Sequence, residues 1–196
     1  DLDGALAGRS VNEAVIRSIV EAIDIPVEIG GGIRTAEAVR NMLDLGVARV
    51  IIGTKAVERP EFMGELVAAF GPERIVAGVD ARDGLVAIQG WEELSSVTAR
   101  ELCLKMKELG VLHIVYTDIA RDGMLNGPNV EATRELTMDT GLDIIASGGV
   151  SSMEDLRRLY DAGIQGAIIG KALYENRVDL REAVRAFQTD RTGNGL

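Results

Sequence analysis

The sequence has very few of the residues that build metal sites and disulfide frameworks. Its 196 residues include one cysteine, Cys103, and one histidine, His113. One thiol cannot form an intramolecular disulfide or a cysteine-based zinc site, and one imidazole cannot form a multi-histidine metal cluster. Cys103 lies in a helical pattern, which favours a packed thiol, and His113 lies in an apolar run, which favours a strand residue. We therefore expect no metal site.

Long hydrophobic runs and excess positive charge are also lacking. No segment has the length of a membrane-spanning helix and no signal peptide is visible, so we predict a cytoplasmic protein. The formal net charge of −10 argues against a nucleic acid or an anionic membrane as partner. It does not exclude an anionic small molecule, because backbone amides bind phosphate whatever the global charge.

Short apolar runs alternate with amphipathic stretches, and this alternation indicates βαβ units with a parallel sheet. The predicted strands are Val27–Ile29, Arg49–Ile52, Ile75–Val79, Leu112–Thr117, Ile144–Ala146 and Ala167–Ile169. The predicted helices are Asn12–Ile23, Ala36–Leu45, Pro60–Phe70, Thr98–Leu109, Val130–Asp139, Ser152–Ala162 and Leu180–Phe187. We expect one domain over residues 1–187 and a disordered tail over residues 188–196.

The chain also repeats itself at an offset of 117 residues, which aligns residues 1–70 with 118–187 without a gap. Asp1 then meets Asp118, and Asn12 meets Asn129. Each copy carries strand–helix units, and the repeat length of 117 residues fits four of them, so two repeats predict a (βα)8 TIM barrel built from duplicated half-barrels. The strand Ile75–Val79 has no counterpart, because its partner would precede residue 1. We therefore expect strand 1, helix 1 and most of strand 2 of the barrel to be missing from the sequence.

Matched glycine loops follow corresponding strands in the two copies. They are Gly31 and Gly32 with Gly53 in the first copy, and Gly148 and Gly149 with Gly170 in the second. Glycines at a single strand-to-helix connection would indicate only a tight turn. Two matched pairs at one spacing instead predict loops whose backbone approaches phosphate closely. Because the copies lie on opposite sides of the barrel, we expect a ligand with two phosphates.

Acidic residues close two of the predicted strands. Asp80 ends an apolar strand, and Asp118 and Asp122 lie at or just after the end of the next one. Catalytic acids and bases of barrels lie at carboxyl ends of strands. Any of these aspartates could instead be a cap or turn residue, most readily Asp122, which precedes a glycine.

The only tryptophan, Trp91, follows the short apolar run Leu85–Ile88. That run predicts a hairpin over the barrel mouth. A lone tryptophan on such a loop is either a packing anchor or a lid that stacks on a planar heterocycle. Spacing alone leaves both interpretations open.

Together these motifs resemble the ProFAR isomerase family of histidine biosynthesis, the phosphoribosylformimino-5-aminoimidazole carboxamide ribotide isomerases. The resemblance runs from residue 1 to about residue 187. It rests on the segments Asp1–Ala5, Gly30–Arg34, Gly78–Arg82, Gly90–Glu92, Tyr116–Asn129 and Ala146–Val150.

The resemblance implies a cofactor-free Amadori rearrangement of a bis-phosphorylated substrate by aspartate acid–base catalysis. Asp80 matches the general acid at the end of strand five, and Thr117 and Asp122 match supporting polar residues. The substrate-binding residues expected beside the six loop glycines are Arg34, Thr54, Trp91 and Lys171. The family's base on strand one has no match here, so we expect this chain alone to be nearly inactive. For the full-length enzyme we expect a monomer.

Three other functions stay open on the sequence. One is a dual-substrate isomerase that also acts on phosphoribosylanthranilate. Another is the sister cyclase of the pathway, against which the Gly90–Glu92 segment argues. The third, of a different class, is a phosphosugar-binding module without catalytic activity.

Overall fold

Six parallel strands form the centre of the protein, and the computed structural model describes residues 1–88, 91 and 93–187. The parallel strands are β1 (Glu28–Gly30), β2 (Arg49–Ile52), β3 (Ile75–Arg82), β6 (His113–Asp118), β7 (Asp143–Ser147) and β8 (Gly166–Ala167). They pair in the order β1-β2-β3-β6-β7-β8, and within the described residues β1 and β8 each pair with one parallel neighbour. This curled, parallel arrangement confirms the predicted (βα)8-barrel class.

A hairpin branches from the longest strand. β4 (Leu85–Ile88) pairs antiparallel with the end of β3 and with β5 (Glu93–Thr98). The hairpin predicted at Leu85–Ile88 is therefore present. Within the predicted Gly90–Glu92 motif, only Trp91 is among the described residues.

Helices separate the parallel strands. They are α1 (Leu2–Ala7), α2 (Glu13–Ala22), α3 (Ala36–Asp44), α4 (Thr54–Glu58), α5 (Glu61–Phe70), α6 (Ala99–Glu108), α7 (Val130–Thr140), α8 (Met153–Asp161), α9 (Lys171–Tyr174) and α10 (Leu180–Phe187). The seven predicted helices are all present, with bounds within one residue of prediction. The predicted disordered tail, 188–196, lies outside the described residues. Within those residues, no helix is long and apolar enough to cross a membrane.

Side-chain caps explain where several helices begin. Thr35 Oγ1 accepts a hydrogen bond from the amide of Ala38 at 3.1 Å, and Ser152 Oγ accepts one from the amide of Asp155 at 3.2 Å. The two caps are 117 residues apart, so the two copies begin equivalent helices in the same way. Each cap satisfies an amide that has no partner inside its helix.

The main core lies between the strands and the helices. On β3 it receives Ile75, Ala77, Val79 and Ala81, which are all fully buried. The alternate residues of β3, among them Asp80, belong to its other face, because successive side chains of a strand point to opposite sides. The packing of one face against helices therefore directs Asp80 towards the barrel interior and its mouth.

Candidate active site

Three polar residues form a row across neighbouring strands at the carboxyl end of the sheet. Asp80 on β3 is the register partner of Thr117 on β6, and Thr117 is the register partner of Ser147 on β7. Register partners in a parallel sheet share a face and lie about 4.8 Å apart. Thr117, in the middle, is 7% exposed, while its two neighbours are half-buried. The structure therefore brings together the predicted pair Asp80 and Thr117, and adds Ser147.

The carboxylate of Asp80 contacts the predicted binding residue Trp91. The indole Nε1 of Trp91 donates a hydrogen bond to Asp80 Oδ2 at 2.8 Å. Trp91 adopts a left-handed backbone (φ 76°) and its side chain is 39% exposed. The hairpin thus holds an aromatic ring over the end of β3, beside the predicted acid.

A cavity of about 220 Å³ lies beside this row, at the glycine loops of the second copy. The predicted residues that line it are Asp122, Gly148, Gly149, Gly170 and Lys171. It is completed by Gly123, Leu125, Ser147, Val150 and Ile168, which the sequence did not single out. Ser147 could have been found from its position at the end of a strand, directly before Gly148.

Gly148 shows why its loop requires glycine. Its φ is 93°, and a Cβ at this position would lie 2.6 Å from the carbonyl oxygen of Asp118. Only a residue without a side chain accepts both the backbone angle and the close approach. The loop therefore packs tightly against the end of β6 and leaves its outer side open to the cavity.

Lys171 supplies the positive charge of this cavity. Its Nζ lies 3.4 Å from the carbonyl oxygen of Gly123 and 3.7 Å from Glu175 Oε1. The side chain is about half exposed, so these contacts hold it loosely at the rim. An ammonium group next to two glycine loops is suited to binding a phosphate.

The glycine loops of the first copy have nearly the same backbone. Gly31 has a φ of 110°, against 93° for Gly148. Gly53 has φ −95° and ψ −93°, against −95° and −105° for Gly170. Thr54 follows Gly53 at the start of α4, where the second copy has Lys171. The two loop pairs are therefore equivalent in backbone and different in side chain.

Arg34 extends from the first glycine loop over α1. Its guanidinium lies against Gly8, where a Cβ would be 2.6 Å from Nη1. The side chain is exposed, and within the described part of the chain no ion pair joins it to a carboxylate. Its position next to Gly31 and Gly32 is compatible with the predicted contact to an anion.

Asp118 is a structural residue, although its place in the sequence made it a candidate acid. It is 7% exposed, and its carboxylate accepts hydrogen bonds from the amide of Ala120 at 3.1 Å and from Asn129 Nδ2 at 2.7 Å. Its register partner is Ala81, so it shares the face opposite Asp80 and Thr117. The carboxylate braces the loop after β6 instead of reaching the cavity.

The three other groups near β6 that could carry a proton are unsuited to the site. Burial, then the charge of Asp118, then Cys103 raise the pKa of Tyr116 to about 12. Burial also raises the pKa of Cys103 to about 12. His113 lies at the opposite end of β6, with Nε2 3.1 Å from Glu73 Oε2 and Nδ1 3.2 Å from Asp143 Oδ2. Four residues of strand, about 13 Å, separate it from Thr117.

The described residues contain no group of three or more histidine, cysteine or acidic side chains placed to hold a metal ion. The site consists of the carboxylates of Asp80 and Asp122, the hydroxyls of Thr117 and Ser147, an indole, a lysine and glycine-rich backbone. These groups can bind anions and transfer protons.

Comparison with known proteins identifies close relatives. A family model described as "Histidine biosynthesis protein" matches residues 1–179. A protein of Lachnoclostridium phytofermentans is 58% identical over 188 residues, which cover 96% of this chain and 79% of that protein. One from Desulfitobacterium hafniense is 52% identical over 190 residues (94% and 76%), and one from a Synechocystis species is 52% identical over 198 residues (100% and 75%). All three are named 1-(5-phosphoribosyl)-5-((5-phosphoribosylamino)methylideneamino)imidazole-4-carboxamide isomerase.

Proposed function

Since this chain belongs to the histidine biosynthesis protein family, we propose that it is an aldose–ketose isomerase of histidine biosynthesis that acts on ProFAR. The reaction converts the aminoaldose end of this bis-phosphorylated substrate to its ribulosyl isomer, an Amadori rearrangement. The observation that carries the proposal is the row of Asp80 and Thr117 at the barrel mouth, beside the glycine-lined cavity. A substrate phosphate bound there would place the sugar next to a carboxyl group.

The proposed chemistry has two catalysed proton transfers, which a final tautomerisation follows. An acid protonates the ribose ring oxygen, the C1–O bond breaks, and the nitrogen lone pair forms a Schiff base. A base then removes the C2 proton, and the enolamine tautomerises to the aminoketose. We assign the first step to Asp80, the carboxyl group at the mouth that reaches the interior face of β3. General acid–base catalysis of this kind contributes about 10²–10⁴-fold each time it is used.

The other residues have supporting roles in this proposal. Thr117, in register with Asp80, would donate or accept a hydrogen bond at the sugar, and Asp122 at the cavity rim would contact the loop or the substrate. Gly148 and Lys171, with the other loop glycines, Arg34 and Thr54, would bind the two phosphates. The cytoplasmic location and the monomeric state stay predictions.

The test compares Asp80→Asn with Asp83→Asn in a protein of the relatives' full length. Asp80→Asn keeps the size of the side chain and removes its proton. We expect kcat to fall by about 10²-fold or more while the Kd for ProFAR changes less than threefold, because the acid acts in the transition state. Asp83 lies in the β3–β4 turn with φ 51°, which asparagine tolerates, so this control should retain activity.

A tenfold loss of affinity with unchanged kcat in Asp80→Asn would show that Asp80 binds substrate and is not the acid. Parallel assays with phosphoribosylanthranilate separate a dual-substrate enzyme from a strict one. Binding of ProFAR without any turnover by the unmutated protein would favour the binding-module interpretation.

A further inference from the structure

The hydrogen bond between Trp91 and Asp80 is the basis of a further inference. An indole N–H donates and cannot accept, so Asp80 Oδ2, 2.8 Å from Nε1, is fixed as an acceptor. Among the described residues no other hydrogen bond to the Asp80 carboxylate is formed. Within the described part of the chain the two oxygens of Asp80 therefore differ, since Oδ2 accepts the indole N–H and Oδ1 accepts no hydrogen bond.

The environment of Trp91 indicates that this contact is not a by-product of packing. With 39% of its surface exposed, the residue is far from the burial that a core anchor would show. Its φ of 76° is unfavourable for a residue with a side chain, by about 1–2 kcal/mol. Its amide donates to the carbonyl of Ile88 at 3.1 Å, which ties Trp91 to the end of β4. Trp91 is strained and partly exposed, and the only polar atom of its side chain donates to Asp80, so we interpret the residue as placed for that contact.

We propose that Trp91 is a positioning residue for Asp80: its N–H holds Oδ2 and so assigns the transferred proton to Oδ1. This inference rests on the proposed role of Asp80 as general acid. In the ring-opening step the Oδ1–H bond breaks and the ring-oxygen–H bond forms, while the C1–O electron pair goes to the ring oxygen. The indole N–H then stabilises the charge left on the carboxylate, since hydrogen bonds to ionised acceptors are about twice as strong as neutral ones.

The contact itself can be tested without any activity. Trp91 is the only tryptophan, so the 15N-labelled chain gives one indole N–H signal in its NMR spectrum. We expect this signal to lie downfield and to exchange slowly with solvent. Asp80→Ala should move it upfield and speed its exchange, whereas Asp83→Asn should leave both unchanged. Asp80→Asn, with a neutral acceptor, should give an intermediate position, and serves if Asp80→Ala does not fold. A signal that is identical in all these proteins would overturn the contact.

The positioning role is tested by removing the N–H and nothing else. In a protein of the relatives' full length, Trp91 is replaced by 3-benzothienylalanine, in which sulfur takes the place of the N–H. If Trp91 positions Asp80, kcat falls about tenfold or more and KM changes less than threefold. Trp91→Phe, which also shortens the ring system, should lower kcat and raise KM together.

A benzothienyl variant with unchanged kcat would overturn the inference and leave Trp91 as a stacking residue. These outcomes are separate from the proposed function. If the unmutated protein does not isomerise ProFAR, the proposed function fails, while the NMR result still decides whether the indole contacts Asp80.

Discussion

Asn129 donates a hydrogen bond of 2.7 Å from its Nδ2 to Oδ2 of Asp118, and so joins the start of α7 to the end of β6. The same bond occurs 117 residues earlier, where Asn12 Nδ2 lies 2.7 Å from Asp1 Oδ1. Each asparagine precedes the first residue of a helix. In both copies an aspartate–asparagine clamp therefore joins the first residue of the repeat to the start of the helix that begins 12 residues later.

We expect Asn129→Ala to lower the free energy of unfolding by about 1–3 kcal/mol. The change removes one of the hydrogen-bond donors to a buried carboxylate, and it removes the cap of the Ala132 amide, whose N–H donates to Asn129 Oδ1 at 3.3 Å. Asn126→Ala, at an exposed position in the same loop, should change the free energy of unfolding by less than about 0.5 kcal/mol. Urea unfolding followed by circular dichroism measures both, and equal values would contradict the clamp.

Gly148→Ala and Gly163→Ala separate backbone strain from steric conflict. Both glycines have positive φ, 93° and 79°, so each alanine should lose about 1–2 kcal/mol to strain. A Cβ at Gly163 meets no atom within 4 Å, whereas one at Gly148 would clash with the Asp118 carbonyl. We expect Gly148→Ala to destabilise the protein more in thermal unfolding and also to weaken phosphate binding. Similar melting temperatures for the two variants would mean that the Gly148 loop shifts to accept a Cβ at little cost in free energy.

Lys171→Met should weaken binding of ProFAR about tenfold, because a charge-assisted hydrogen bond contributes about 1.5–3 kcal/mol and the exposed side chain is partly screened. The effect should shrink as the salt concentration rises. Lys105→Met is the control, since Lys105 is also half exposed and paired with a glutamate, but lies on α6. Calorimetric titration gives both affinities. An equal loss of affinity in the two variants would show that the net charge of the protein, and not Lys171 in the cavity, determines the effect.

Stability should decrease in alkaline solution because of Cys103. Burial raises the pKa of its thiol from 9.0 to about 12, so above about pH 9 the unfolded chain releases a proton that the folded chain keeps. The stabilisation is thus complete below about pH 9 and is lost as pH rises towards 12, by up to about 1.4 kcal/mol per pH unit. Cys103→Ala should reduce this slope.

The control for the alkaline slope is Leu102→Ala. Leu102 is a buried neighbour on the same helix, so the change should lower stability by about 2–5 kcal/mol at every pH without altering the slope. Urea unfolding between pH 8 and pH 11 distinguishes the two variants. If the stability of Cys103→Ala falls with pH as steeply as that of the unmutated chain, other groups cause the pH dependence. Tyr116, whose pKa is also raised, is one of them.

The longer elements could be predicted from the sequence because each has a full hydrophobic period. The helices α1, α4 and α9, of four to six residues, were not predicted, because they are too short to show one. The strand β5 was also missed, since Glu93–Thr98 is mostly polar and none of its residues is fully buried. Its pairing with β4 is determined by the chain reversal and not by apolar alternation.

Residues of the candidate site could be predicted where spacing or position in the sequence marks them. The glycine loops follow from matched spacing, and Asp80 from its place at the end of an apolar strand. By contrast, the roles of Asp118 and Trp91 depend on tertiary geometry. No local sequence pattern indicates that Asn129 donates a hydrogen bond to the carboxylate of Asp118. None indicates that the indole of Trp91 reaches Asp80.

The equivalence of the two glycine loop pairs raises a problem of substrate direction. Gly53 and Gly170 have almost the same backbone angles, so the main chain offers both ends of a bis-phosphate nearly identical cradles. A ligand with a phosphate at each end could then enter in either of two opposite orientations, only one of which puts its aminoaldose beside Asp80. Thr54 and Lys171 stand at the same position of the two copies and differ in charge. We therefore expect the side chains, and not the main chain, to determine the orientation in which a bis-phosphate ligand binds.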